Sequence, residues 1–207
     1  MLRGKDFCVL FHVRLTDYPV SRRKAELSPA HQKYLNEGND WILVRGPTQN
    51  DEGTQPLAGV FFIDVADRAA AERFAAEEPY NKAGCMMSVE IFGWSNPLKR
   101  RMADFPRKDG QVYWYIRGYA KPGAHLKRQA LFEAHQAYFR PYDAEHFIVR
   151  GGVVDNDGNW VGSANLIALP DRKTAEAFAA EEPFCKNGLF ERVVIERFKM
   201  GGQAPST

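Results

Sequence analysis

Phe74-Ala75-Ala76-Glu77-Glu78-Pro79-Tyr80-Asn81-Lys82-Ala83-Gly84 returns later in the chain as Phe178-Ala179-Ala180-Glu181-Glu182-Pro183-Phe184-Cys185-Lys186-Asn187-Gly188. Upstream of each copy, at the same spacing, Ala30-His31-Gln32-Lys33-Tyr34 returns as Ala134-His135-Gln136-Ala137-Tyr138. Ile42-Leu43-Val44-Arg45-Gly46 matches Phe147-Ile148-Val149-Arg150-Gly151 with the register one residue longer, so one connecting loop has changed length. The polar, Gly-ended runs Asn50 to Gly53 and Asp155 to Gly158 each follow an apolar stretch, as hairpin turns do. The chain is a tandem duplication. At about 90 residues a copy, each repeat is too long for a solenoid unit and long enough to be a small domain.

The same order of elements is predicted twice. In the first copy Phe7–Val13 is a strand and Ser21–Gly38 a helix, with a bend at Ser28 and Pro29. Trp41–Arg45 and Leu57–Val65 are apolar strands. Asp67 caps a helix running to Glu78, with Pro79 just beyond, and Val89–Trp94 is the last strand. In the second copy the elements are Val112–Arg117, Leu126–Phe139, Phe147–Arg150, Val161–Leu169, Asp171–Glu182 and Val193–Phe198. The order β-α-β-β-α-β is the ferredoxin-like plan, so the fold class is α+β. A four-stranded sheet with both helices on one face leaves the other bare, and two fused copies would cover each other as a pseudo-symmetric α+β barrel with a cavity between the sheets. The expected domains are 1–94 and 111–200, joined by a linker over 95–110 and followed by a flexible tail over 201–207.

Composition excludes several classes. The net charge of +2 on 207 residues is too balanced for a nucleic-acid surface. A basic cluster at Lys99-Arg100-Arg101 and Arg107-Lys108 falls in the predicted linker and is most simply a solvated segment. The three cysteines, Cys8, Cys85 and Cys185, are scattered, with no zinc spacing against the five histidines. No apolar run approaches the roughly 18 residues of a membrane span, and the N-terminus has no cleavage pattern. The expectation is a cytoplasmic protein with no membrane or nucleic-acid partner. No Gly-x-Gly-x-x-Gly or phosphate loop follows a strand, so no cofactor is expected, and no metal site has an argument beyond isolated His and Glu residues.

Pro29-Ala30-His31 with Tyr34-Leu35, Arg45-Gly46-Pro47, the Phe74 to Gly84 stretch, and Val89-Glu90-Ile91-Phe92 with Trp94 together resemble the YciI-like, or YCII-related, family. The resemblance is close over 7–94 and looser over 112–198, where Glu133 stands for the Pro before the helix histidine and Gly152 for the Pro after Arg-Gly. It implies a dimeric α+β barrel in single-copy members, here fused into one chain. It also implies an active site made of the helix histidine and the acid of an Asp-Pro-Phe/Tyr step. These carry over to His31 with Glu78 and to His135 with Glu182, a departure from the usual Asp in both halves. Family members with assigned chemistry, such as chlorohydroxyhydroquinone dehydrochlorinases, act on ring compounds in aromatic breakdown, and muconolactone isomerases use a similar barrel.

The residues make chemical sense without the family. An imidazole takes and returns a proton near neutral pH, and a carboxylate on its other nitrogen sets the tautomer and stabilises the imidazolium. The first function expected is therefore a cofactor-independent lyase or isomerase acting on a small cyclic or aromatic-derived acid. The alternative is a small-molecule binding protein using the same cavity, and an interaction role comes third. Glu77 and Glu181 adjoin the acids, and spacing does not decide which of each pair turns inward. Two carboxylates at a helix C-terminus call for a specific partner, and Lys82 and Lys186 are candidates, with a plain surface salt bridge the commoner role for each. Arg45 and Arg150 end strands where a guanidinium could pair a substrate carboxylate or simply face water. His12, on the first strand, has no histidine counterpart in the second copy, and if it points into the cavity it gives the first half a substrate-binding group that the second lacks. Tyr34 and Tyr138 could donate to a ligand, with core packing the commoner role. The first half keeps more of the family pattern and is favoured as the working one. Pairing of fused chains into a homodimer is left open.

Overall fold

The computed structural model describes residues 5–13 and 18–202, and for 5, 6, 8–13 and 18–24 the backbone only. His12 and Cys8 therefore lie outside the residues with described side chains. The chain divides into two compact units, residues 1–93 with 199–207 and residues 94–198.

The first unit holds β1 (Lys5–Val13), α1 (Tyr18–Glu37), β2 (Ile42–Gln49), β3 (Pro56–Val65), α2 (Arg68–Glu77), α3 (Pro79–Lys82) and β4 (Met86–Trp94), whose final residue falls to the second unit. The second repeats the plan with β5 (Tyr113–Ala120), α4 (His125–Phe139), β6 (Phe147–Val154), β7 (Trp160–Ala168), α5 (Arg172–Glu181), α6 (Pro183–Lys186) and β8 (Phe190–Phe198). Strand order is β4-β1-β3-β2 in the first and β8-β5-β7-β6 in the second, the α+β arrangement expected for each repeat. β3 pairs antiparallel with β1 and β2, and β7 likewise with β5 and β6.

Local chemistry sets the element ends. The Asp67 carboxylate accepts from the Ala70 N–H at 2.8 Å and Asp171 accepts from the Thr174 N–H at 2.7 Å, each satisfying a donor that the helix start leaves unpaired. α1 is one helix that contains Pro29. α3 and α6 were not anticipated, because four residues are too few to show helical periodicity.

In the first unit Phe61, Ile63 and Val65 of β3 join Leu35 of α1 and Ala71, Phe74 and Ala75 of α2 in one core. The second unit builds its core from Trp114, Ile116, Phe139, Phe147, Ile167 and Phe178. Alternate residues Val60 and Phe62 on the other face of β3 are buried too. The stretch expected as a linker packs into the second unit, where Met102 and Phe105 are buried, because its apolar side chains have sheet surface to cover. Gly201 and Gly202, expected in a flexible tail, belong to the first unit: Lys199 N–H donates to the Pro47 carbonyl at 3.0 Å and Gly201 N–H to Arg45 at 2.9 Å.

Candidate active site

The site is built around the Glu-Pro step. A residue before proline is disfavoured in helical geometry, so α2 stops at Glu77 and Glu78 takes φ −58, ψ 122. Pro79 has no N–H to lose and starts α3 directly. Glu78 is thus the N-cap of a new helix, and its carboxylate accepts from the Tyr80 N–H at 3.2 Å and the Asn81 N–H at 2.8 Å. The penalty expected for a carboxylate at a helix C-terminus is replaced by attraction to a helix start. Glu78, 1% exposed, is the acid that turns inward. Lys186 makes the plain surface salt bridge expected of it, with the exposed Glu181, and the buried acids take other partners.

Its remaining acceptor capacity meets α1. His31 Nδ1 lies 2.6 Å from Glu78 Oε1, and the ring stacks on Tyr80 with centroids 4.1 Å apart. An ionised carboxylate only accepts, so Nδ1 carries the hydrogen and Nε2 keeps the lone pair of the neutral ring. The second unit repeats the geometry: His135 Nδ1 is 2.6 Å from Glu182 Oε1, Glu182 accepts from the Phe184 and Cys185 N–H groups, and Phe184 stacks on the imidazole.

The units part company around this shared pair. In the first, His31 and Glu78 line a cavity of about 300 Å³ with Gln32, Arg45, Tyr80 and Met86, edged by Gly201 and Gly202. In the second, the space beside His135 is about 100 Å³. Phe139 stands where the first unit has Leu35, and Trp160 where it has Pro56. Trp160, Phe184 and Leu189 form a further apolar cluster there. Larger side chains at matched positions account for the lost volume.

Arg45 and Arg150 reach these sites through a bulge. Ile42 pairs with Ile63 but Val44 with Phe62, so Leu43 is an extra residue, and the shift puts Arg45 opposite Phe61 on the face toward the helices. Ile148 plays the same part in the second unit and sets Arg150 opposite Asn165. Simple alternation from Ile42 would have turned Arg45 to the other face. Arg45 is 4% exposed and Arg150 5%, so neither faces water. Arg45 Nη2 donates to Asn36 Oδ1 at 2.8 Å, and its Nη1 has no partner among the described residues. Arg150 is held by Asp143 through Nε at 2.6 Å and Nη2 at 2.9 Å, with Gln136 completing the set. Burial pushes the Arg45 guanidinium below its ordinary range.

Tyr34 is not among the residues lining the first cavity. Its hydroxyl donates to the Phe74 carbonyl at 3.0 Å, and Tyr138 donates to Phe178 at 2.9 Å. Burial first, then the Glu77 and Glu78 carboxylates, push Tyr34 up to about 12, and burial does the same for Tyr138. Sequence reasoning missed Tyr80, Asn36 and the segment 199–202 as neighbours of the site. The Tyr80 ring was visible in the repeat as the counterpart of Phe184, whereas 199–202 carries no local signal. Among the described residues no group of three or more His, Cys, Asp or Glu converges to hold a metal ion, and no helix is long and apolar enough to cross a membrane.

Two α+β repeats, each fixing a histidine with a helix-capping glutamate and one opening on the larger cavity, define a tandem ferredoxin-like protein. The chain belongs to the YCII-related domain family, whose pattern matches residues 9–95 and 112–199. No curated protein matches it. Among solved structures, 5-chloro-2-hydroxyhydroquinone dehydrochlorinase from Burkholderia phenoliruptrix AC1100, in complex with 2,5-dihydroxybenzoquinone, is 28% identical over 43% of this chain and 95% of its own, with a TM-score of 0.39. Chlorite dismutase from Candidatus Nitrospira defluvii, in complex with imidazole, is 10% identical over 94% of this chain and 91% of its own, with a TM-score of 0.60. A heme-binding protein from Thermus thermophilus is 14% identical over 94% and 91%, with a TM-score of 0.55. The last two likenesses show the fold alone, that of the dimeric α+β barrel proteins.

Proposed function

We propose that the first unit is the working site of a lyase or isomerase that needs no cofactor and acts on a small cyclic or aromatic-derived acid by proton transfer. The observation that carries this is the His31–Glu78 pair at 2.6 Å on the wall of a cavity of about 300 Å³. That volume is at the small end of ligand sites and suits a single ring. Glu78 orients the ring, and His31 Nε2 takes a proton from a C–H or O–H of the ligand. The imidazolium then returns that proton, to the departing group in an elimination or to a second carbon in an isomerisation, so the histidine ends as it began. Glu78 stays ionised throughout and balances the transient positive charge. Tyr80 supplies the ring's stacking surface. The second pair, His135 with Glu182, repeats the bonds in a space too small for the same ligand and serves its own unit's packing.

The test is His31→Asn, assayed for turnover on small ring acids and lactones. The Asn amide nitrogen sits near the Nδ1 position and keeps the bond to Glu78, while Nε2 is lost. Turnover is expected to fall at least about a hundredfold, the usual share of a general base, with thermal stability close to that of the starting protein. Retained turnover in this variant would rule out the histidine as the base. Saturable ligand binding with no turnover in either protein would make the cavity a binding site only.

A further inference from the structure

The two matched arginines, Arg45 and Arg150, carry one charge each, and only one of them is neutralised. Arg150 receives both carboxylate oxygens of Asp143, at 2.6 and 2.9 Å. The position matching Asp143 in the first repeat is Asn39. The two residues sit in the same turn: Asn39 N–H donates to the Asn36 carbonyl at 3.2 Å, and Asp143 N–H donates to Arg140 at 3.2 Å. An amide in that place brings no charge. Among the described residues Arg45 makes no ion pair and keeps Nη1 unpartnered; it is nine-tenths and more buried, and it lines the larger cavity beside His31. A buried guanidinium without an anion is costly, and a planar fork of N–H donors selects a carboxylate.

We infer that the ligand of the first cavity carries a carboxylate that accepts from the unpartnered Nη1 of Arg45 and balances its charge, and that Asn39 is the specificity-determining residue because it brings no carboxylate where the second unit has Asp143. The second unit thus neutralises, with its own side chain, the charge that the first leaves to a ligand. Gly202 belongs to the same arrangement. Its φ is +51, a conformation glycine adopts freely, and a Cβ there would press on Arg45 Nη2 and make the guanidinium shift. The inference rests on the proposed function only in seating the ligand in the first cavity.

The test reads binding rather than turnover. Benzoate and 2,5-dihydroxybenzoate are titrated calorimetrically into the full chain against their neutral counterparts, benzyl alcohol and 2,5-dihydroxybenzyl alcohol. The carboxylates are expected to bind once per chain and at least about tenfold more tightly than the alcohols, the effect of one hydrogen bond between charged groups. In Asn39→Asp that preference is expected to disappear while the alcohols bind as before, because the new carboxylate occupies Arg45 from within. Asp143→Asn, in the other unit, is expected to leave the preference intact. The second unit already tolerates the Arg–Asp pair in this turn, so Asn39→Asp folds; its melting curve checks this. Equal binding of acids and alcohols by the unaltered chain, no carboxylate binding at all, or an undiminished preference in Asn39→Asp would each overturn the inference. A carboxylate preference that survives His31→Asn without any turnover in the unaltered chain would sink the proton-transfer proposal and leave this one standing.

Discussion

Replacing Glu78 by Gln keeps size and shape and removes a charge at the centre of three hydrogen bonds. Oε1 accepts from His31 Nδ1 and the Tyr80 N–H, and Oε2 from the Asn81 N–H. A glutamine offers one oxygen and one NH2. With the oxygen toward His31, the NH2 confronts the Asn81 N–H and that donor is left without a partner. With the oxygen toward Asn81, the NH2 confronts the Tyr80 N–H, and His31 must accept at Nδ1 and so carry its hydrogen on Nε2. One cap N–H is orphaned in either orientation, and a buried orphaned donor costs about 1–3 kcal/mol, so a loss of about 1–3 kcal/mol in urea unfolding is expected. Glu182→Gln breaks the matching bonds to His135, Phe184 and Cys185 and should cost a similar amount. The pair of variants separates structure from chemistry. Both lose stability, but only Glu78→Gln should lose turnover, by about a hundredfold or more, since one amide orientation puts the hydrogen on Nε2 and the other leaves the imidazolium without its balancing charge. An unfolding midpoint unchanged in Glu78→Gln, or activity lost in Glu182→Gln and kept in Glu78→Gln, would refute this account of the two glutamates.

Other expectations follow from single side chains. Tyr34 and Tyr138 are both pushed up to about 12, so the folded chain keeps their protons where an unfolded tyrosine loses its own near pH 10. The stability they contribute is complete below about pH 10 and is lost as pH rises through about 12, so the double variant Tyr34→Phe, Tyr138→Phe should show a shallower fall in urea midpoint over that window, and an equally steep fall would count against it. Asp67→Ala and Asp171→Ala each remove one helix cap and should cost about 1 kcal/mol apiece by chemical unfolding, additively because the sites are far apart in sequence and share no partner.

Much of this was legible before any coordinates. The duplicated Phe-Ala-Ala-Glu-Glu-Pro stretch marked the repeat, and strand and helix periodicities set the β-α-β-β-α-β order because both are local properties of a few neighbouring residues. The histidine and the Glu-Pro step recurred together, and they are the groups in contact in both units. What spacing left open was the choice between Glu77 and Glu78. Proline decides it by stopping one helix and starting another, so that Glu78 meets free N–H groups that Glu77 does not. The fate of Arg45 was open too, because one bulged residue at Leu43 reverses the faces of every side chain after it.

The sequence by itself determined that the chain is two copies of one α+β unit, each with a helix histidine and a glutamate before proline, since those features are written in short-range pattern and repetition. Only the tertiary structure decided that the two units are not equivalent sites. Whether a cavity stays open depends on summed side-chain volumes brought together from distant segments: Leu35 against Phe139, Pro56 against Trp160, and the return of 201–202 to Arg45. Whether a buried arginine is satisfied depends on a turn several residues away, where Asp143 supplies the charge that Asn39 lacks. Close packing and charge compensation are properties of residues that meet in space, and linear spacing does not record them.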